Sequence, residues 1–280
     1  MSRKFSSERL EVGNTLRRKT LFLFDLDGVL YKGKEVREKI GGTNAVEALR
    51  RSGKKLLVLT NNSTDAVETI HERLIEFQIR VRREEILSSA LLTAEYLESK
   101  HGEVSYFLVG EAGLEAEMKK CGHTRTKGDH VQFVVVGLDR TLTYEKLDRA
   151  ARLAAAGAPI VATHSARFYM SNNGPAMATG PVVRALEYAA GTRATIIGKP
   201  SPLMFQMALG RAGCNASEAV MVGDQVDTDI EGAAKVGIES VLVTTGVDKN
   251  ARGMALATFA NVDEIADLLQ SAGPSHRGKL

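Results

Sequence analysis

Four apolar residues, Leu21-Phe22-Leu23-Phe24, run without a break into Asp25-Leu26-Asp27-Gly28. An uninterrupted apolar run of that length is a strand buried on both faces, the state of strands in a parallel sheet covered by helices. The pattern then repeats along the chain. Residues 56–59 run into Thr60-Asn61-Asn62-Ser63, residues 194–197 into Gly198-Lys199-Pro200, and residues 219–222 into Gly223-Asp224. Residues 106–109, 133–136 and 240–243 are further runs of the same kind. Amphipathic stretches lie between them. Val67, Ile70, Leu74 and Phe77 recur at spacings of 3, 4 and 3, which predicts a helix that Ser63 or Thr64 can cap. Pro202 marks the first turn of another helix, and Gly213 its end. The alternation predicts an α/β fold with a parallel sheet. Residues from about 90 to 190 carry their own strands and helices, and read as a second α/β unit inserted into the first.

Composition excludes several classes. The 280 residues are 44% apolar and 25% charged, as in a soluble globular protein. The net charge of +3 sits at the ends: residues 1–20 sum to +4, residues 271–280 to +2, and the body to −3. A body without basic surplus predicts no nucleic-acid partner. No run reaches the ~18 apolar residues of a membrane span, so no membrane partner is expected. Cys121 and Cys214 are too few for a disulfide framework and read as reduced thiols, and the start lacks the apolar core of a secretory signal. The expected location is the cytoplasm. No Gly-x-x-x-x-Gly-Lys-Ser/Thr occurs, which excludes a P-loop nucleotide site. Cys121, His123 and His130 match no standard zinc spacing and read as loop residues.

The four polar clusters share one edge if their strands are parallel, because ligands of open α/β sheets bind beyond the carboxyl ends of the strands. Alone, each cluster is ordinary turn or cap chemistry. Together they hold Asp25 and Asp27, an anion cradle at Thr60 and Asn61, a fixed cation at Lys199, and a further carboxylate at Asp224 with Asp227 and Asp229 beyond. Carboxylate and carbonyl oxygens suit Mg²⁺, which takes one or two carboxylates together with substrate phosphate. Asp25 then fits a nucleophile and Asp27 a general acid and base.

The set Asp25-Leu26-Asp27-Gly28-Val29-Leu30, Thr60-Asn61-Asn62-Ser63, Gly198-Lys199-Pro200 and Gly223-Asp224-Gln225-Val226-Asp227-Thr228-Asp229-Ile230 resembles the four motifs of haloacid dehalogenase superfamily phosphatases, in the NagD-like and 4-nitrophenylphosphatase-type subfamily. The resemblance implies a Rossmann-like three-layer core with a parallel sheet and an inserted α/β cap of the C2 type. With the cap inserted between the second and third motifs, the core is expected at 19–88 and 190–270 and the cap at 89–189; the chain ends, outside the match, read as a mobile basic N-terminus at 1–18 and a tail at 271–280. It implies Asp25 as nucleophile, Asp27 as acid/base, and Thr60, Asn61 and Lys199 on the phosphate. Mg²⁺ is implied on the Asp25 carboxylate, the Asp27 carbonyl and Asp224, with Asp229 orienting metal waters. The implied reaction is hydrolysis of a small phosphorylated metabolite, such as a sugar phosphate, a nucleoside monophosphate, glycerol phosphate or phosphoglycolate. A phosphomutase and a non-catalytic phosphate-binding protein are the alternatives. Many relatives carry Thr-Asn-x-Asp after a cap strand, where this chain has Thr163-His164-Ser165-Ala166. His164 and Arg167 are accordingly expected either to contact a polar or anionic leaving group, or to lie where the cap forms a homodimer.

Overall fold

In the computed structural model, which describes residues 2–32, 38–128, 130–171, 173–251 and 253–270, every short apolar run is a strand. The chain begins with α1 (Ser2–Arg18), β1 (Leu21–Phe24), the hairpin strands β2 (Tyr31–Lys32) and β3 (Glu38–Lys39), α2 (Thr43–Arg51), β4 (Lys55–Thr60), α3 (Val67–Glu76) and β5 (Ile86–Ser88). The middle holds α4 (Ser89–His101), β6 (Ser105–Val109), α5 (Ala112–Lys120), β7 (Thr124–Arg125), β8 (Phe133–Val136), α6 (Tyr144–Ala155), β9 (Ile160–Ala162), the ribbon β10 (Phe168–Ser171) and β11 (Gly174–Met177), and α7 (Thr179–Ala190). The last stretch is β12 (Thr195–Ile196), α8 (Pro202–Ala212), β13 (Ala219–Gly223), α9 (Glu231–Ala234), β14 (Glu239–Val243), β15 (Ala257–Phe259) and α10 (Glu264–Gln270).

Two parallel sheets result. The core sheet has the order β15-β14-β13-β1-β4-β5, so β1 is central, and the inserted sheet has the order β12-β9-β8-β6-β7. In β1, alternate residues serve opposite faces, as the strand period demands. Phe22 and Phe24 pack with Val46 and Leu49 of α2, Ile70 and Leu74 of α3, and Ile265 and Leu268 of α10. Leu21 and Leu23 turn the other way, into a cluster with Met204, Phe205 and Ala208 of α8. That is a three-layer α/β core with an inserted α/β unit, as the sequence predicts.

Three details differ from the expectations. The N-terminus is helical rather than a mobile segment: Leu16 is fully buried in the core, Arg9 pairs with Glu264 at 3.0 Å, and Arg17 donates to the Leu268 carbonyl oxygen. Leu16 and Val12 of α1 join the cluster that holds Leu268 and Leu269 of α10. Thr195-Ile196 belongs to the inserted sheet, paired with Val161-Ala162, so the core resumes only at the Gly198-Lys199 turn. Neither Ser63 nor Thr64 caps α3. Asn62 Oδ1 instead accepts from the Thr64 and Asp65 amides at 2.9 and 3.0 Å, and Glu117 of α5 accepts from the Val67 amide at 2.8 Å. Ser201 caps α8 with Pro202 in its first turn, and Gly213 closes it at φ +60°, where a residue without Cβ is favoured. The 271–280 tail and Asn172, in the loop after Arg167, lie outside the described residues.

Candidate active site

Parallel register brings the strand ends together. Phe24 lies opposite Val222 on one side and Val58 on the other, so Asp25 emerges beside Gly223-Asp224 and Thr60. The Asp25 amide continues the ladder, donating to the Val222 carbonyl oxygen at 2.9 Å. Lys199 reaches in from the turn before α8. Its Nζ donates to Asp25 Oδ1 at 2.6 Å and to Asp229 Oδ1 at 2.7 Å, with the side chain almost wholly buried. Asp229 comes from the π-helical turn Val226–Ile230, and its Oδ2 accepts from the Asp224 and Gln225 amides at 3.2 and 3.1 Å. Both Asp229 oxygens are therefore engaged by protein donors.

Asp224 is different. Its Oδ2 accepts from the Val247 amide at 2.8 Å, but its buried Oδ1 has no hydrogen-bond partner. An orphaned carboxylate oxygen in a buried site is costly unless something else meets it. Ligand atoms of Asp25, Asp224 and Asp229 lie within 4.8 Å of one another, the only such acidic, His or Cys group among the described residues. Burial, followed by the charges of Asp25 and Asp229, pushes the Asp224 carboxyl well above the usual carboxylate range. Burial also raises Asp229, to about 6, against the pull of Lys199. Burial works against the Lys199 ammonium, yet Asp229 and Asp25 outweigh it and hold its pKa above the ordinary lysine value. Three buried carboxylates around one ammonium leave an excess of negative charge, the condition under which a divalent cation fits.

Asp27, Thr60, Asn61 and His164 line the same cavity of about 470 Å³ as Asp25, Lys199 and Asp224. Asp27 is half-buried beside the nucleophile candidate, in a turn closed by the Gly28 amide donating to the Tyr31 carbonyl oxygen at 2.7 Å. Thr60 Oγ1 accepts from the Asn62 amide at 3.1 Å, which leaves the hydroxyl proton for another acceptor. Asn61 Nδ2 donates to the Lys199 carbonyl oxygen at 2.9 Å, joining the second and third clusters. His164 lines the cavity from the inserted unit, whereas Arg167 is exposed and is not part of the cavity wall. Cys121, His123 and His130 form no metal group; His123 is buried, with Nδ1 accepting from the Val104 amide and Nε2 against the Ala94 carbonyl oxygen.

Sequence reasoning missed the loop Thr245-Gly246-Val247-Asp248. Thr245 Oγ1 donates to the Gly28 carbonyl oxygen at 2.5 Å, and Asp248 Oδ2 accepts from the Val226 amide at 2.7 Å. A Cβ on Gly246 would fall 1.8 Å from Asp224 Oδ2. The one sequence signal for this loop is its position after β14, at the same sheet edge as the four clusters.

Comparison with known proteins agrees with this geometry. Residues 22–124 match the family described as haloacid dehalogenase-like hydrolase, and residues 196–272 match a related HAD-hydrolase-like family. The acid sugar phosphatase of Staphylococcus epidermidis is 34% identical over 226 residues, covering 81% of this chain and 86% of that protein. The p-nitrophenyl phosphatase of Archaeoglobus fulgidus superposes with a TM-score of 0.83 at 30% identity, covering 89% of this chain and 98% of its own. The 4-nitrophenylphosphatase of Thermotoga maritima superposes with a TM-score of 0.84 at 30% identity, covering 91% and 99%.

Proposed function

Because the chain belongs to the haloacid dehalogenase-like hydrolases, we propose that it is a Mg²⁺-dependent phosphatase that hydrolyses small phosphomonoesters through an aspartyl-phosphate on Asp25. The observation that carries this reading is the buried cluster of Asp25, Asp224, Asp229 and Lys199, with one Asp224 oxygen unmatched. Asp25, Asp224 and the Asp27 carbonyl would hold Mg²⁺, which supplies positive charge to the phosphoryl group when bound. The engagement of both Asp229 oxygens by Lys199 and amide donors supports an outer, orienting place for that residue.

The side chains divide the work as follows. An Asp25 carboxylate oxygen attacks phosphorus while the bond to the leaving oxygen breaks, and Asp27 gives that oxygen a proton. Asp27, now a carboxylate, takes a proton from water as the water attacks the phosphorus of the aspartyl-phosphate. The P–O bond to Asp25 breaks, releasing inorganic phosphate and restoring both carboxyl groups. Lys199 and Thr60 hold phosphoryl oxygens, with Asn61 keeping the lysine turn in place. The presence of Asp27 favours hydrolysis over chemistry that lacks an acid/base.

The relatives' names support small phosphomonoesters of the sugar-phosphate or aryl-phosphate kind, and nucleoside monophosphates, glycerol phosphate and phosphoglycolate belong to the same size class. Free thiols at Cys121 and Cys214 agree with a reducing, cytoplasmic setting, and no described helix is long and apolar enough to cross a membrane. A homodimer through the inserted unit is part of the proposal. The test is hydrolysis of nitrophenyl phosphate with Mg²⁺, with EDTA, and by Asp25→Asn. Activity that EDTA and Asp25→Asn both abolish is expected; activity surviving in Asp25→Asn refutes the nucleophile. A phosphomutase would show itself by isomerising a sugar phosphate faster than it releases phosphate.

A further inference from the structure

The cavity has two walls of unlike chemistry. The core wall is polar, carrying Asp25, Asp27, Thr60, Lys199 and Asp224. The wall from the inserted unit is mostly apolar: Leu138, Ala166, Phe168, Met170 and Ala178, with polar atoms only on His164 and Tyr169. The imidazole is engaged inside its own unit, Nδ1 accepting from the Ala166 amide at 3.3 Å and Nε2 lying 3.1 Å from Thr179 Oγ1. It positions the start of the β10–β11 ribbon against α7.

That ribbon exposes its apolar side. Phe168 pairs with Met177 and Met170 with Pro175, and residues directly opposite share a face. Phe168 is 62% exposed and Met170 55%, although both line the cavity that holds Asp25 and Lys199. Large apolar side chains left to water at the mouth of a site are surface that a ligand covers. The charges of the wall point the same way. Among the described residues the lining cations are Lys199, placed between Asp25 and Asp229, and Lys32, paired with Glu38 at 3.0 Å. Arg167 stays outside the wall.

We infer that Phe168 and Met170 form an apolar shelf that receives the leaving group, so that the enzyme prefers phosphomonoesters of an uncharged ring or carbon chain to esters carrying a carboxylate or a second phosphate. This rests on the phosphatase reading and deepens it. It also replaces the sequence expectation of a polar or anionic leaving group met by His164 and Arg167.

The test compares phenethyl phosphate with phosphoglycolate, both esters of alkyl oxygens, in hydrolysis by the wild type, Phe168→Ser and Met170→Ser. It also compares phenethylphosphonate with carboxyethylphosphonate, which cannot be hydrolysed, in calorimetric binding. The shelf predicts that the ring-bearing compound is preferred in both assays. Each substitution lowers kcat/KM for phenethyl phosphate by about tenfold, the scale of a lost hydrophobic pocket contact, and leaves phosphoglycolate within about twofold. Both side chains are exposed, so the variants fold. Ring preference in binding without any hydrolysis supports the shelf and overturns the phosphatase reading. Hydrolysis or binding without ring preference, or a preference that Phe168→Ser and Met170→Ser leave intact, overturns the shelf. So does a dimer that the two substitutions dissociate while the preference stays unchanged, because a second copy would then cover the face.

Discussion

Gly246 shows how little room surrounds the acidic cluster. An alanine Cβ there would sit 1.8 Å from Asp224 Oδ2, so Asp224 or the loop must move. The same carboxylate oxygen takes the Val247 amide, and its neighbour Oδ1 is the unmatched atom. Gly246→Ala should therefore raise the Mg²⁺ concentration for half-maximal activity by tenfold or more, about 1.4 kcal/mol. A Mg²⁺ titration of nitrophenyl phosphate hydrolysis measures it, and an unchanged requirement would count against Asp224 as a ligand. The sequence made Asp224 legible because it follows an apolar run. It hid Gly246, whose role is a distance to a side chain on another strand and leaves no residue-type signature. Of the two places expected for Arg167, beside the leaving group or in a dimer face of the cap, its exposed position outside the cavity wall agrees better with the second.

Helix α3 carries the anion-cradle loop at its N-terminus, and an element of the inserted unit caps it. Glu117 is 1% exposed and accepts from the Val67 amide, while Lys120 holds the same carboxylate oxygen at 3.0 Å. Loss of this acceptor in Glu117→Ala should cost about 1–2 kcal/mol in urea unfolding, the scale of a lost helix cap, with Glu117→Gln retaining most of it. Equal losses in the two variants would argue that the cap is not the cause. No local pattern could have named Glu117, because the cap comes from 50 residues along the chain. A nearby case gives a pH test. Burial alone would raise the Glu85 carboxyl, but hydrogen bonds from Arg50 and Arg82 outweigh it and hold it below its ordinary value. A depressed folded-state pKa gives stability that is fully present above the unfolded-state value and fades as pH falls through the folded one. Glu85→Gln should thus be less stable than wild type by roughly 1–3 kcal/mol at neutral pH, the worth of hydrogen bonds to a charged group. The gap should close as pH drops below about 4. A gap that persists unchanged at about pH 3 would exclude the ionised carboxylate as its source.

At the scale of the molecule, one hydrophobic cluster serves both sheets. Leu21, Leu23 and Leu57 of the core sheet, Tyr106, Leu108, Val135 and Val161 of the inserted sheet, Leu97 of α4, and Met204 and Phe205 of α8 all belong to it. The alternation of strands and helices made two α/β units legible, yet it could not assign Thr195-Ile196 to a sheet, because parallel strands of both units have the same composition. A shared cluster has a thermodynamic consequence: it couples the unfolding of the two units, although the inserted unit keeps a second cluster of its own on its outer face. Leu186 tests this, being fully buried in the outer layer of the inserted unit, with Val183, Ala150 and Val136 and with no core residue. Leu186→Ala should remove about 2–5 kcal/mol, as for other buried leucines. If the units unfold together, native-state hydrogen exchange of the Leu23 amide in β1 should accelerate by the same factor as that of Val135 in β8. Acceleration confined to Val135 would mean that the inserted unit opens by itself, and that the cavity wall bearing Phe168 and Met170 can leave the core without global unfolding.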